Sequence, residues 1–549
     1  MRTPICDFVE NYQNKKCSRL HMPGHKGHVF LGCEPKDITE VQGADVLHAA
    51  EGIIRESQQN AAMLFDTGHT FYSTEGSSLC IKVMIDALLQ RAKRTGRWQR
   101  TMRPTILAAR NVHRAMIDAC ALLDVDIIFL RGEDSHLCTA VVSPQRLRQT
   151  LQELCGEETS AADAPQGLSD KKENVDDASQ GLSDKKENVD DASQGLSDKK
   201  ENVDDAPQGL SDKKENVADV SRRLPGNVIG VYITSPDYLG NIQDISGLSK
   251  VCREYDLPLA VDNAHGAYLN FLQEPLHPMR LGADICCDSA HKTLPVLTGG
   301  AYLHIAKQAS DFLIERIPRA MALFGSTSPS YLILQSLDYC NHYLADDYPE
   351  RLQSFVKRFQ QCKETLRQCG FVLTGQEPLK LTICVAAMCL DGERLAEQMR
   401  KAQIECEYAD HQYVVLMGTP ENTEQDLSRI EHFARTFDRM QKVELRQQMP
   451  DGREQYLYPM WEDHAKETVP EAAAGISTPA IRACTIREAV MAECEEIAVS
   501  QAEGRICGAE TVSCPPAVPI AVCGEIITQN MIQQFEEYSI TKVSVLVKE

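Results

Sequence analysis

The sequence predicts an α/β fold with a mostly parallel central sheet flanked by helices, and three observations carry that expectation. Apolar runs of strand length recur through the first 305 residues: His69–Ser73, Thr105–Ala109, Asp126–Leu130, Val228–Thr234, Leu259–Asp262 and Asp284–Cys287. Between them lie stretches with helical spacing, such as S-S-L-C-I-K-V-M-I-D-A-L-L-Q-R-A (77–92) and I-S-G-L-S-K-V-C-R-E-Y (245–255). The runs are short, apolar and connected by helices, as in sheets covered on both faces. In such sheets ligands bind beyond the carboxyl ends of the strands. The unusual polar residues of this chain follow those ends.

Composition narrows the function. The chain has 549 residues and a net charge of −22, from 57 Lys+Arg against 79 Asp+Glu. That length suggests three or four units, each able to bury a core. A surface so acidic repels a phosphate backbone, which argues against nucleic-acid binding. No run of about 18 apolar residues is present, so no membrane span is expected. The opening M-R-T-P-I-C-D-F-V-E carries Asp7 and Glu10 where a signal peptide needs an apolar stretch. A cytoplasmic protein is expected.

Twenty-one cysteines fit neither a disulfide framework, which belongs to short secreted chains, nor a zinc ribbon, since no C-x-x-C pair occurs. Cys120, Cys252, Cys286 and Cys287 sit inside apolar runs and read as small buried hydrophobes. No metal centre is expected.

Taken in order, the segment after His69–Ser73 is T-E-G-S-S (74–78), with Gly76 at a turn and Ser77 and Ser78 opening a helix. Backbone N–H groups and hydroxyls at a helix N-terminus suit an anion, phosphate above all, although an ordinary N-cap has the same residues. After Thr105–Ala109 comes R-N-V-H (110–113), which leaves His113 near the same edge; a lone histidine is more often structural. Next, S-P-Q-R-L-R-Q-T-L-Q-E-L (143–154) has Pro one step inside a Ser N-cap, and N-V-I-G-V-Y-I-T-S-P (227–236) is a buried strand.

Between that helix and strand stands a repeat. A-P-Q-G-L-S-D-K-K-E-N-V-D-D (164–177) recurs at 178–191, 192–205 and, with Ala218 for an Asp, at 206–219. Each unit offers only Leu, Val and Ala as apolar groups, too little to offset the entropy of ordering. Fourteen residues are two heptads, but one apolar site per heptad is too thin a coiled-coil seam. The tract reads as a disordered linker inserted into an αβ loop.

The last two segments carry the chemistry. V-D-N-A-H-G-A (261–267) ends an apolar strand with Asp262 at the mouth of the sheet, where a turn or cap is the plainer role. D-S-A-H-K-T-L (288–294) places Lys292 among Ser, His and Thr at the end of a buried strand. Such a site favours a depressed amine pKa, and a neutral amine can form a Schiff base. Together the residues offer a phosphate cradle, a lysine for an aldehyde, an acid for a pyridine nitrogen and a ring to stack. These are the needs of pyridoxal 5'-phosphate.

On these and further segments the chain resembles the ornithine/lysine/arginine decarboxylase family of fold-type-I pyridoxal-phosphate enzymes, in the shorter form without a receiver-like wing domain. The matching segments are L-H-M-P-G-H-K-G (20–27), G-A-D-V-L-H (43–48), T-F-Y-S-T-E-G-S-S (70–78), R-N-V-H (110–113), I-T-S-P-D-Y-L-G (233–240), V-D-N-A-H-G-A (261–267), S-A-H-K-T-L (289–294) and S-T-S-P-S-Y (326–331). A-E-G-R-I (502–506) and C-P-P-A-V-P (514–519) match more weakly.

The resemblance implies roles. Lys292 would hold the cofactor, Asp262 would pair with its pyridine nitrogen, and His113 would stack on the ring, with Ala264 and His265 facing it. Gly76, Ser77, Ser78, Ser289 and His291 would bind the phosphate. Ser326 and Thr327, in S-T-S-P, would reach a neighbouring subunit's cofactor, making the active unit a homodimer or larger. The implied reaction is decarboxylation of a basic amino acid, among the enzymes of polyamine biosynthesis. It also implies a large cofactor-binding unit over 1–305, a small α/β unit over 306–438 and smaller α+β structure over 439–549. The family commonly has H-K-S where this chain has His113-Arg114-Ala115, and D-E-A-H where Asn263 stands. The cofactor residues alone leave aminotransfer or another lyase step open. A non-catalytic binding protein is opposed by the joint presence of Lys292, Asp262 and His113.

Overall fold

The computed structural model describes residues 1–98, 101–130, 140–156, 226–388, 390–447, 481–509, 511–514 and 518–548, the side chains of 438–447 and 511–514 excepted. The repeat at 164–219 lies outside the described residues.

Seven strands form the central sheet: β1 (His69–Ser73), β2 (Thr105–Ala109), β3 (Asp126–Leu130), β4 (Val228–Thr234), β5 (Leu259–Asp262), β6 (Ile285–Asp288) and β7 (Ala301–Ile305). Their order is β1-β7-β6-β5-β4-β2-β3. The pairs from β6 through β5, β4 and β2 to β3 are parallel, whereas β7 runs antiparallel to both neighbours. Two details differ from the sequence expectation. The sixth strand lies one residue later, so Asp288 belongs to it, and β7 was not anticipated because its A-Y-L-H-I follows a Gly-Gly turn and carries a histidine.

The direction of the side chains along the strands divides the core. Ile229, Tyr232, Ala260 and Cys287 pack on one side with helices Gly76–Thr95 and Arg114–Leu123. Val231, Ile233, Val261 and Cys286 pack on the other with helices Pro144–Cys155 and Ile245–Glu254. Both faces are thus covered, which is why these strands read as continuous apolar runs. The Pro144 helix starts as its sequence requires, with the Ser143 hydroxyl accepting from the Arg146 N–H at 3.1 Å. Cys120, Cys252, Cys286 and Cys287 are all buried, as expected.

Beyond the large sheet, β8 (Leu373–Thr374), β9 (Lys380–Cys384), β10 (Tyr408–Ala409) and β11 (Tyr413–Met417) form an antiparallel sheet in the order β10-β11-β9-β8. Near the C-terminus β12 (Cys494–Ala498) pairs with β15 (Lys542–Leu546), and β13 (Thr511–Cys514) with β14 (Val518–Val522). Among the described residues, no helix is long and apolar enough to cross a membrane.

Candidate active site

The strands end where the polar segments begin. β5 delivers Asp262, and β6 leads through Ser289 into a one-turn helix, Ala290–Thr293, that carries Lys292. The Asn263 N–H donates to the Cys287 carbonyl at 2.9 Å, which joins the two exits. The Asn263 amide also donates to Asp288 Oδ1 at 2.7 Å, a bond that a glutamate at this position could not donate.

Asp262 is buried and well held. Tyr232 donates its hydroxyl to Oδ2 at 3.2 Å, while the Ala264 N–H and the Cys287 thiol approach Oδ1 at 3.2 and 3.6 Å. The turn role and the functional role are therefore not exclusive, since one oxygen serves the turn. Lys292 Nζ lies 3.0 Å from His265 Nε2. Burial first, and the Lys380 charge with it, lower the Lys292 amine pKa against the pull of Asp262 and Glu407. Burial, then the charges of Lys380 and Lys292, push the His265 imidazole well below its usual range, so it is neutral.

The phosphate-type residues converge from two strand ends. Ser289 donates to the Ser77 hydroxyl at 2.8 Å, across the gap between the β6 and β1 exits. Gly76 begins the helix Gly76–Thr95 with φ +70°, and nothing lies within 4 Å of where a Cβ would stand. Its N–H donates to Gly299 O at 2.7 Å. Ser78 is half-buried one residue further on. His291 donates Nδ1–H to Gly300 O at 3.0 Å, and Thr293 has a buried hydroxyl without a partner among the described residues. His113 is the N-cap of helix Arg114–Leu123, its Nδ1 accepting from the Ala115 N–H at 3.1 Å, and its charge state acts on His265. The structural role of this histidine is real, and its exposed ring stands near the site all the same.

Ser326 and Thr327 are exposed. Ser326 donates its N–H to Glu75 Oε1 at 2.6 Å, and His48 Nε2 approaches its carbonyl at 3.3 Å. Within this chain Ser326 meets the T-E-G-S-S loop at Glu75.

Four residues of the site were missed by sequence reasoning. Tyr232 is hidden inside an apolar strand. Tyr238 sets its ring edge-on to His265, centroids 5.2 Å apart, and donates to Glu407 Oε1 at 3.0 Å. Lys380, at the start of β9, lies 3.3 Å from His265 Nδ1. A lysine opening an apolar strand (K-L-T-I-C) is the one signal that could have flagged it. Glu407 had none.

Behind the site is a closed polar cluster. Asp288 Oδ2 accepts from His277 Nε2 at 2.9 Å and His304 Nε2 at 3.1 Å, all three side chains being fully buried. His277 Nδ1 accepts the Met279 N–H at 3.3 Å, which places its proton on Nε2, toward the carboxylate. Burial opposes the Asp288 charge, but the two histidines hold its carboxyl well below the ordinary range.

Comparison with known proteins shows the family and the fold. Residues 3–166 and 208–391 match the model of the Orn/Lys/Arg decarboxylase major domain, and 469–540 match that of the Orn/Lys/Arg decarboxylase C-terminal domain. An arginine decarboxylase of Bacillus subtilis is 25% identical over 558 residues, covering 96% of this chain and 92% of its own. The lysine decarboxylase of Francisella novicida superposes with a TM-score of 0.68 at 12% identity, over 99% of this chain and 81% of that one. The constitutive lysine decarboxylase of E. coli does so at 0.64 and 16%, over 100% and 82%.

Proposed function

The chain belongs to the Orn/Lys/Arg decarboxylase family, and from that membership we propose that it removes the α-carboxylate of lysine, arginine or ornithine, giving the amine and CO2, with pyridoxal 5'-phosphate at the strand-end site. The observation that carries the reading is the meeting of Lys292, His265 and Asp262 at the exits of β5 and β6.

The residues present fit that cofactor. The open space at Gly76, the Ser77 and Ser289 hydroxyls facing one another and the N-terminus of a 20-residue helix together suit a phosphate. When bound, the cofactor supplies an aldehyde for the substrate amine and a ring that takes up the electrons of the breaking Cα–carboxylate bond. Asp262 would keep a proton on the pyridine nitrogen, and the Tyr232 hydroxyl would hold its carboxylate in place. Lys292, its amine pKa lowered by burial, would be the nucleophile. His113 would cover one ring face, Ala264 and His265 the other, and Ser78 and His291 would complete the phosphate contacts. In this reading the unit over 1–305 carries the cofactor, that over 306–438 closes the site through Lys380 and Glu407, and in the unit over 439–549 the residues around Glu525 meet Arg110 at the start of the His113 loop.

Glu407 supports a basic substrate. Its carboxylate acts on Lys292 and is anchored by Tyr238, so it would meet the far, cationic end of a side chain whose amine is at Lys292. A homodimer is supported by Leu20, Met22, Val29, Phe30 and Leu31, an apolar group 67–94% exposed near the N-terminus. Ser326 and Thr327 would then serve the partner's site. The described cysteine side chains are free thiols, which suits the cytoplasm.

The test is release of labelled CO2 from carboxyl-labelled lysine, arginine and ornithine, with cysteine and neutral amino acids as controls. Release from a basic amino acid with the matching amine as product is expected. Keto-acid formation without CO2, or no reaction with any of them, would overturn the reading.

A further inference from the structure

Lys380 closes the site in the reading above without a chemical task, yet it is 3% exposed and its ammonium is surrounded by partners. Nζ is 2.9 Å from Glu377 Oε2, donates to the Asp237 carbonyl at 3.0 Å, and lies 3.3 Å from His265 Nδ1. It also sits 5.7 Å from the centre of the Tyr238 ring. A carboxylate, a carbonyl and an aromatic face all favour a cation. An ammonium has three donors and no acceptor, so the ring nitrogen facing it must offer a lone pair. The proton of neutral His265 is then on Nε2, which lies 3.0 Å from Lys292 Nζ.

This tautomer has a consequence at Lys292. An Nε2–H asks its neighbour for a lone pair, and only the uncharged amine has one. The opposite tautomer would present a lone pair there and favour the ammonium, which cannot attack an aldehyde. We propose that Lys380 is a positioning residue: by fixing His265 with its proton on Nε2, it selects the neutral, nucleophilic form of Lys292. The inference rests on the assignment of Lys292 as the cofactor lysine and deepens it. The groups that face His265 or the lysines beside it come from five places: Lys292 and His291 after β6, Lys380 with its partner Glu377, His113 at its helix cap, Asp262 at the end of β5 acting on Lys292, and Tyr238 with its partner Glu407 and with Asp237, whose carbonyl accepts from Lys380.

The sign of the expected effect follows. Lys380 opposes protonation of His265, so removing its charge raises the pH at which His265 protonates. Activity should then fail at higher pH on the acid side. The variant of choice is Lys380→Met with Glu377→Gln, which leaves no buried carboxylate unpaired, and Lys380→Arg is the control that remains donor-only. The measurement is kcat/KM against pH on cofactor-loaded enzyme. The double variant should take up cofactor at Lys292 more slowly and reach the full near-visible band only at high pH, while its acid limb moves up by about one pH unit or more. Lys380→Arg should keep the wild-type limb. An unmoved limb in the double variant, an equal movement in Lys380→Arg, or a loss of activity uniform across pH would overturn the inference. If the wild-type enzyme itself takes up no cofactor at Lys292, the proposed function fails and this inference with it.

Discussion

Arg110 and Glu525, 415 residues apart in sequence, form a two-pronged ion pair, Nη1 to Oε1 at 3.0 Å and Nη2 to Oε2 at 2.8 Å. The same guanidinium donates to Pro519 O and Ile520 O, each at 3.0 Å, and lies 4.9 Å from the centre of the Phe129 ring. Arg110 opens R-N-V-H, so the pair ties the C-terminal turn around Glu525 to the backbone that leads to His113.

Removing the Glu525 carboxylate should therefore be felt at the cofactor as well as in the fold. The side chain is 2% exposed, and its loss leaves the Arg110 charge with two carbonyls and the Phe129 ring but no carboxylate. Glu525→Ala is expected to cost about 3–5 kcal/mol in denaturant unfolding and to weaken cofactor binding measured by equilibrium dialysis. Unchanged stability would mean that the pair is of no consequence to the domain contact.

Lys292→Ala should abolish turnover and the near-visible absorbance of bound cofactor, with the circular dichroism of the fold intact. The side chain is half-buried, and its Nζ contacts only His265 among hydrogen-bonding groups in the described residues. Retention of the absorbance after dialysis would show that another amine holds the cofactor.

Asp262→Ala should impair catalysis far more than folding. The loss of a charge-assisted bond in a dry site is worth about 2–4 kcal/mol of transition-state stabilisation by analogy with removed oxyanion donors. That corresponds to a fall in kcat of about 30- to 1,000-fold. The same variant frees the Tyr232 hydroxyl, so Tyr232→Phe should give a milder loss in the same direction. Near-normal turnover in Asp262→Ala would refute the role assigned to this carboxylate.

Stability should fall in acid in two stages, through the cluster behind the site. Burial lowers the His304 pKa, so the unfolded chain binds that proton first and stability begins to drop as pH falls through about 6.5. The Asp288 carboxyl is held down by His277 and His304, so its contribution is complete above about pH 4 and is lost below it. Asp288→Asn should lower the midpoint of urea unfolding at pH 7 and flatten the second stage. A wild-type acid profile in that variant would remove Asp288 from the account.

Much of this arrangement was legible before folding. A buried strand that ends abruptly in Asp262, or leads directly into S-A-H-K, advertises a polar residue in an unusual place, because nothing in local propensity asks for it. The central strands were equally plain, since sheets covered on both faces need unbroken apolar runs. What was hidden came from tertiary approach. Lys380 and Glu407 reach His265 and Lys292 from more than 80 residues downstream, and no local pattern marks the pairing. Strand β7 escaped notice because His304 interrupts its apolar run, and only the fold reveals that Asp288 and Thr70 accommodate that histidine, at 3.1 and 2.8 Å.

Deleting residues 164–219 should leave activity and oligomeric state essentially unchanged. The four copies are nearly identical, and the match to the family's major domain breaks between 166 and 208, inside them. The flanking elements need nothing from the tract: helix Pro144–Cys155 packs through Leu147 and Leu151 on the sheet, and β4 is held between β2 and β5. A unit with three apolar side chains in 14 residues has too few to build a core of its own. Closing a shorter connection also costs less, by about 1–2 kcal/mol for a fivefold reduction in length, so the deletion should be slightly stabilising. The competing idea is that the regular Asp-Lys-Lys-Glu spacing docks a partner or bridges subunits. Size-exclusion chromatography and turnover of the deletion variant separate the two. A lost oligomer or a many-fold fall in activity would make the tract part of the working enzyme.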